Sequence, residues 1–362
     1  MDIEVLDGLE SLVAVRTEWD ALAGASARPR PSLTYGWHRA SARAFGGGDA
    51  DGLFTLCFRD NGRLVGLLPL RASRKSVAGA TLARDLQFAV ETADCRDLVI
   101  ETGAEWPVVD AFCEWLQDGP LAWDLVRLRT LCSLSPTYAF LPVLARHARL
   151  YTTVWGGDAC ARIHLPRSMS DYLDSMPSQR RRRTYAYCQR KLSRDHTTPR
   201  LRVVAGEAVT EEDVRRVWSL HGSGWEARGT SAAANEAFRV FLTGLVSELP
   251  PVARPVLAFL EVGDRVVTGD FGVVMDGCCF LYYGGLDPEF ASYSVGHQAL
   301  LALIEHGIEQ GWTEIDLMGG SEPYKFHFTR CAGGTADLWV ARSPGRLRAA
   351  AAMASARGYM CA

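Results

Sequence analysis

Lysine is almost missing from this chain. There are three, Lys75, Lys191 and Lys325, against 36 arginines. That bias, with abundant alanine, reflects a GC-rich coding sequence, and it makes each lysine a position where guanidinium has not replaced a compact ammonium. Paired cysteines are missing too. Ten are scattered singly, apart from the neighbours Cys278 and Cys279. No C-x-x-C pair occurs and no histidine follows a cysteine at zinc-ligand spacing, so buried free thiols are expected rather than a disulfide framework or a metal site. No stretch approaches the roughly 20 apolar residues of a membrane span. The opening MDIEVLDGLE has neither the basic head nor the apolar run of a secretory signal, so a cytoplasmic location is expected. A net charge of −3 speaks against general nucleic-acid or membrane binding. There is no dinucleotide fingerprint. No serine or cysteine sits beside a histidine in a nucleophile motif, the loose pair Cys160 and His164 included, so hydrolase chemistry is not expected.

What is present suits two soluble domains: 362 residues, 48% apolar and 22% charged. Two segments share one layout. Leu53–Arg59, the turn Asp60-Asn61-Gly62 and Arg63–Leu70 form one hairpin signature; Val256–Val262, Gly263-Asp264 and Arg265–Met275 form the other. Arg63-Leu64-Val65 aligns with Arg265-Val266-Val267. After the first hairpin come a helix over 106–117, with Trp106, Val109, Phe112 and Leu116 on one face, and a strand from Trp123. After the second come a helix over 296–309, with Leu300, Leu303, Ile304 and Ile308 inward, and a strand from Trp312. Hairpin, strand, helix, strand, twice, predicts an α/β (α+β) chain with two mixed, mostly antiparallel sheets flanked by helices. The boundaries drawn from the pattern are 1–157 for the first domain and 158–345 for the second, with 346–362 a helical or frayed tail. Helices are also expected from Thr210, a capping-box-like start, and from Asn235 as a cap.

Residues 278–328 carry the most telling pattern. A strand ends in Tyr282-Tyr283-Gly284-Gly285, and Asp287-Pro288 turns the chain. Ser294-Val295-Gly296 opens an amphipathic helix, and the strand Glu314–Met318 leads to Gly319-Gly320 and Tyr324-Lys325-Phe326. This resembles the GNAT acyltransferases, in particular the tandem branch related to the Fem-type aminoacyl transferases of peptidoglycan synthesis. The first half resembles the same branch through Trp19, Ser32–Trp37, Gly66-Leu-Leu-Pro69 and Asp94-Cys-Arg-Asp97.

The resemblance implies a fold of two tandem GNAT-like domains and an acyl-CoA co-substrate whose pyrophosphate sits at a helix start. Unpaired N–H groups and the positive dipole end favour phosphate there. The candidates are Ser294, Val295, Gly296 and His297. The usual GNAT loop has several small residues, whereas Tyr293–Gln298 has one glycine. Lys325 matches a lysine that follows an aromatic residue in the Fem-like pattern. A fixed cation stabilises the oxyanion of acyl transfer, and pairing with Glu322 as an ordinary surface lysine is the plain alternative. An amine nucleophile also needs a base. Asp270, a carboxylate inside an apolar strand, ranks first, while Asp94 and Asp97 could face substrate and Tyr283 could line its channel.

Residues 178–194 form a basic helix. Ser178 is its cap, Tyr185, Cys188 and Leu192 point inward, and four arginines occupy the first turn, where they oppose the helix dipole. Arg181 and Arg182 could grip a phosphate of substrate, coenzyme A or tRNA, or could belong to a solvated face. The expected activity is direct transfer of an acetyl or longer acyl group from acyl-CoA to an amine of a small molecule or cell-envelope precursor, without metal. The alternatives are aminoacyl transfer from charged tRNA and a non-catalytic GNAT-fold binding protein. The acceptor and the oligomeric state are not readable.

Overall fold

The computed structural model describes residues 1–8, 11–45, 52–77, 80–90, 92–226 and 236–356. Contacts divide the chain into two compact units. One holds Met1–Ala42, Gly46–Ala159 and Gly333–Ala362; the other holds Arg43–Phe45 and Cys160–Ala332.

In the first unit β1 (Asp2–Asp7), α1 (Arg16–Ala25) and α2 (Tyr35–Phe45) precede the expected hairpin, β2 (Leu53–Asp60) and β3 (Arg63–Val77). Asn61 and Gly62 turn it at φ 50° and 81°, the positive pair that matches the twist of the flanking strands. Then come β4 (Ala80–Phe88), the short β5 (Val99–Ile100), α3 (Glu105–Asp118), β6 (Leu125–Cys132), α4 (Pro136–His147) and β7 (Tyr151–His164). β4 and β6 are parallel, pairing Asp85–Gln87 with Leu125–Arg127, and the β1–β2, β2–β3 and β3–β4 ladders are antiparallel. Val109, Phe112 and Leu116 of α3 are fully buried as expected, but Trp106 is 50% exposed and meets Phe140 edge-on. The stripe centres on Val108, Phe112 and Trp115, which leaves Trp106 at its rim.

The second unit takes up the chain within β7, at Cys160. It contains α5 (Met169–Ser175), α6 (Gln179–Asp195), β8 (Arg200–Ala205), α7 (Glu211–Glu226), α8 (Glu236–Glu248), β9 (Ala253–Val262), β10 (Arg265–Met275), β11 (Cys278–Leu286), α9 (Val295–Glu309) and β12 (Glu314–Gly319). Its strand order is β7-β12-β11-β10-β9-β8. β11–β12 is the parallel pair and the other ladders are antiparallel. Ser178 caps α6 through Arg181 N–H, with Tyr185, Cys188 and Leu192 buried. Thr210 and Asp213 cap α7 reciprocally, since each side chain accepts an N–H that the first turn leaves open. Asn235, read as the cap of the next helix, lies outside the described residues. Leu300, Leu303 and Ile304 of α9 pack with Ile163, Ile315, Leu317 and Phe328.

β13 (Ala332–Ala341) pairs antiparallel with β6 from Thr335 to Ala341, and α10 (Pro344–Ala356) follows. Residues 333–345, expected with the second half, therefore pack with the first, because their ladder partner lies far back in the chain. Hairpin, strand, crossover helix, parallel strand occurs twice, as β2-β3-β4-α3-β6 and β9-β10-β11-α9-β12. The chain is thus α/β with a mixed sheet in each unit.

Candidate functional site

β11 and β12 pair only from Cys278–Phe280 to Glu314–Asp316, although β11 continues to Leu286 and β12 to Gly319. Past that pairing β12 bulges. Met318 sits at φ 59°, its N–H donates to Asp316 Oδ1 at 2.9 Å, and the register with β7 shifts between Asp316 and Gly319. The carbonyl of Gly319 accepts from Lys325 Nζ at 2.6 Å, and Glu322 Oε2 lies 3.0 Å from the same ammonium. Lys325 is 4% exposed while Glu322 is half exposed. A buried ammonium needs such partners. Lys325 is buried, unlike the surface lysine of the plain alternative, while the pairing with Glu322 which that alternative expected is present.

Around Tyr185 three segments converge. Tyr185 of α6 shares a hydrogen bond of 2.9 Å with His327 Nδ1, and its ring stacks on His297 of α9 at 4.7 Å and on Phe328 at 5.7 Å. Cys188 Sγ donates to Ser294 Oγ at 3.7 Å. Ser294 ends the preceding 3-10 turn (Pro288–Tyr293) at φ 55° and opens α9 without a side-chain cap. Val295 is buried, whereas Ser294, Gly296 and His297 are half-buried, and a side chain at Gly296 would meet nothing closer than Leu286 Cδ2 at 3.6 Å. The α9 N–H end is thus approachable only at its rim. Burial, with smaller effects of His327 and Arg181, pushes His297 down to about 4, and burial and Arg181 lower His327. Both imidazoles are therefore neutral at pH 7. His297 Nε2 is buried without a partner among the described residues. Arg181 is exposed at the mouth of this set, while the guanidinium of Arg182 turns to Asp174 at 2.9 Å and to the Leu173 carbonyl.

Asp270 and Tyr283 form a second set, on β10 and β11. Asp270 is paired across the ladder with Gly284, where an added Cβ would fall 2.1 Å from Asp270 Oδ1, so glycine is what leaves room for the carboxylate. No donor of the described residues reaches that carboxylate, and burial alone pushes it up to about 7. On the next residue, Gly285 gives α7 close approach, since a Cβ there would lie 2.1 Å from His221 N. His221 Nδ1 meets the Gly284 carbonyl at 2.5 Å and its ring stacks on Tyr283 at 3.9 Å. Burial raises the Tyr283 phenol.

Asp94 and Asp97 belong to the first unit. Asp97 accepts from Leu98 N–H at 2.8 Å and from Thr137 and Ser135 at the start of α4, while burial pushes it up to about 7. The structure thus groups Arg181, Ser294, Gly296, His297, Glu322 and Lys325 near one end of β12 and α9, and places Asp270 and Tyr283 on the neighbouring strands β10 and β11. Tyr185, His221 and His327 were not singled out for the site by sequence. The signal for His327 was its place two residues beyond Lys325; nothing local marks His221. Among the described residues no group of three His, Cys, Asp or Glu is placed to hold a metal ion, and no helix is long and apolar enough to cross a membrane.

A splayed parallel pair joined by a crossover helix, with a basic segment beside the helix start, is the arrangement of a GNAT-like fold. The sequence agrees: residues 179–326 match the family of acetyltransferase (GNAT) domains. No curated protein matches the chain. Among solved structures, FemX superposes with a TM-score of 0.62 at 11% identity, over 93% of this chain and 97% of that one. A conserved protein of unknown function from Bacteroides thetaiotaomicron gives 0.57 at 12%, over 91% and 97%. The C-terminal domain of a proposed lysylphosphatidylglycerol synthetase from Agrobacterium fabrum gives 0.55 at 11%, over 94% and 96%. These likenesses concern the fold.

Proposed function

We propose that the protein is an acyltransferase that passes an acyl group from a phosphate-bearing donor to an amine, with acyl-CoA as the donor. The observation that carries this reading is the convergence of Arg181, the uncapped start of α9 and the Lys325 loop around Tyr185. Donor phosphate is held between the Arg181 guanidinium and the N–H end of α9 at Gly296, where both charge and dipole favour it. Lys325 fixes the loop after β12 and supplies the positive field that steadies the carbonyl oxygen as the amine attacks. Asp270, titrating near neutral pH, takes the proton the amine loses. The carbon–sulfur bond of the thioester breaks as the amide forms, and coenzyme A leaves as the thiol.

One observation favours charged tRNA as donor instead. Arg180, Arg181, Arg183, Arg190 and the 58% exposed Tyr187 lie on the open face of α6, a basic surface with an aromatic that suits a nucleic-acid backbone and an unstacked base. The name of the Agrobacterium relative, which describes a lysine-bearing lipid as product, accords with aminoacyl transfer. Thermal unfolding with acetyl-CoA, longer acyl-CoAs and free CoA separates the two. Ligand at about 100 times Kd stabilises the fold by about 2.7 kcal/mol. A rise in Tm with the thioesters supports the CoA reading. No rise with any of them overturns it, and RNase-sensitive activity then identifies the tRNA donor.

A further inference from the structure

A histidine, a cysteine and a glutamate far apart in sequence meet on the second unit, outside the sets described above. His164 Nδ1 lies 3.1 Å from Glu314 Oε2, and His164 Nε2 lies 3.3 Å from Cys331 Sγ. The sheet fixes all three. His164 and Glu314 are cross-strand partners on β7 and β12. Cys331 is held beside β7 by Arg162 N–H on its carbonyl at 3.0 Å and by its own N–H on Thr329 Oγ1 at 2.9 Å. Ile163, Ile315 and Leu317 turn into the α9 core, so strand alternation sends His164 and Glu314 to the opposite face of the sheet. The groups around Tyr185 are therefore not part of this arrangement.

We propose that Cys331, His164 and Glu314 form a nucleophilic thiol site whose substrates are activated acyl esters and thioesters. A carboxylate on Nδ1 holds the imidazole in the tautomer with its proton on Nδ1, leaving Nε2 to accept from the thiol. Base next to nucleophile, with a third group orienting the base, is the general arrangement for activating a side chain. Charge in the surroundings supports it. Arg162 Nη2 lies 2.5 Å from Glu314 Oε1 and Arg162 Nε lies 3.9 Å from Asp316 Oδ2, so two carboxylates share one guanidinium behind the imidazole. Cys278 Sγ lies 3.8 Å from Glu314 Oε1, and the guanidinium of Arg330, the residue before Cys331, goes to the Pro177 carbonyl. Reagent can reach the pair, because the His164 side chain is 64% exposed and Cys331 is partly exposed.

In the step itself the thiol proton passes to His164 Nε2 and the sulfur attacks the acyl carbon. The bond from that carbon to the leaving oxygen or sulfur breaks, the leaving group departs with the electron pair, and the imidazolium releases its proton to water. The acyl group remains as a thioester on Cys331.

The test is alkylation of the intact protein by iodoacetamide at pH 6.5, read cysteine by cysteine by mass spectrometry, beside exposure to p-nitrophenyl acetate. Cys331 is expected to alkylate faster than the half-buried Cys278. His164→Asn, at an exposed side chain, is expected to slow it by roughly a hundredfold, the lower end of what a positioned base contributes. The ester is expected to leave acetyl on Cys331, or to release p-nitrophenol at a rate lost in Cys331→Ser. Equal rates in the wild type and His164→Asn overturn the proposal. Fast alkylation with neither acetyl capture nor Cys331-dependent release overturns the acyl class.

Discussion

The two halves repeat one scheme and differ where chemistry is expected. By the alignment of their return strands, Leu68 of β3 stands where Asp270 stands in β10; the leucine is fully buried, the aspartate partly open and pushed up to about 7. Both post-helix strands bulge at a left-handed residue, Thr130 at φ 50° in β6 and Met318 at 59° in β12. In the first unit the bulge N–H donates to Asp337 of β13 at 2.9 Å, and Ser135 soon caps α4. In the second it donates within its own strand, and the freed chain runs into Gly319, Glu322 and Lys325. One copy spends the bulge on strand pairing; the other opens it to a loop holding a buried ammonium. Shared backbone geometry does not by itself carry activity, so the proposal rests on residue choice at these positions.

The largest expected effect comes from making the second half more like the first. Asp270→Leu should fold at least as stably, because a half-buried carboxyl that no donor of the described residues reaches gives way to an apolar group, yet lose at least about a hundredfold in kcat. Asp270→Asn separates charge from shape. Wild-type activity should rise with pH around 7, as the carboxyl ionises, and the asparagine variant should lose that limb. Stability carries the opposite sign. The folded state holds this proton to a higher pH than the unfolded chain does, so stability falls as pH rises from about 4 to about 7. Urea titrations at several pH values should show a shallower fall in Asp270→Asn, and Asp97→Asn should behave likewise without touching kcat.

Next in size is Lys325. Removing its ammonium deletes the 2.6 Å bond to the Gly319 carbonyl and the ion pair with Glu322, so Lys325→Ala should cost about 1–3 kcal/mol in denaturant unfolding. It should also lower kcat about tenfold or more. Lys325→Met, which fills the volume without charge, should recover part of the stability and none of the rate. Smallest is Arg181→Ser at an exposed position: a few-fold rise in donor KM, a weaker salt dependence and an unchanged Tm.

Local pattern made much of this legible. The hairpins, α6 with its Ser178 cap and the α9 stripe follow from turn residues, capping and periodicity, each of which acts within a few residues. The pairing of β13 with β6 was not legible, because a ladder partner distant in sequence leaves no local mark. The same holds for His221 over Tyr283, for Tyr185 between His297 and His327, and for His164 beside Cys331. The last pair was sought within one motif, around Cys160, while the cysteine that meets His164 comes from the other end of the unit. Lys325 stood out by the scarcity of lysine and by its place in Tyr324-Lys325-Phe326; its burial and its bond to Gly319 needed the bulge at Met318.

The most direct test of this asymmetry is hydrogen exchange of the whole chain with and without saturating acetyl-CoA. Slowed exchange is predicted at 179–185, 294–298 and 319–328, with segments 63–70, 105–118 and 125–132 of the first unit unchanged. Protection confined to the first unit's segments, or none at all, would contradict the claim that the second half alone holds the donor.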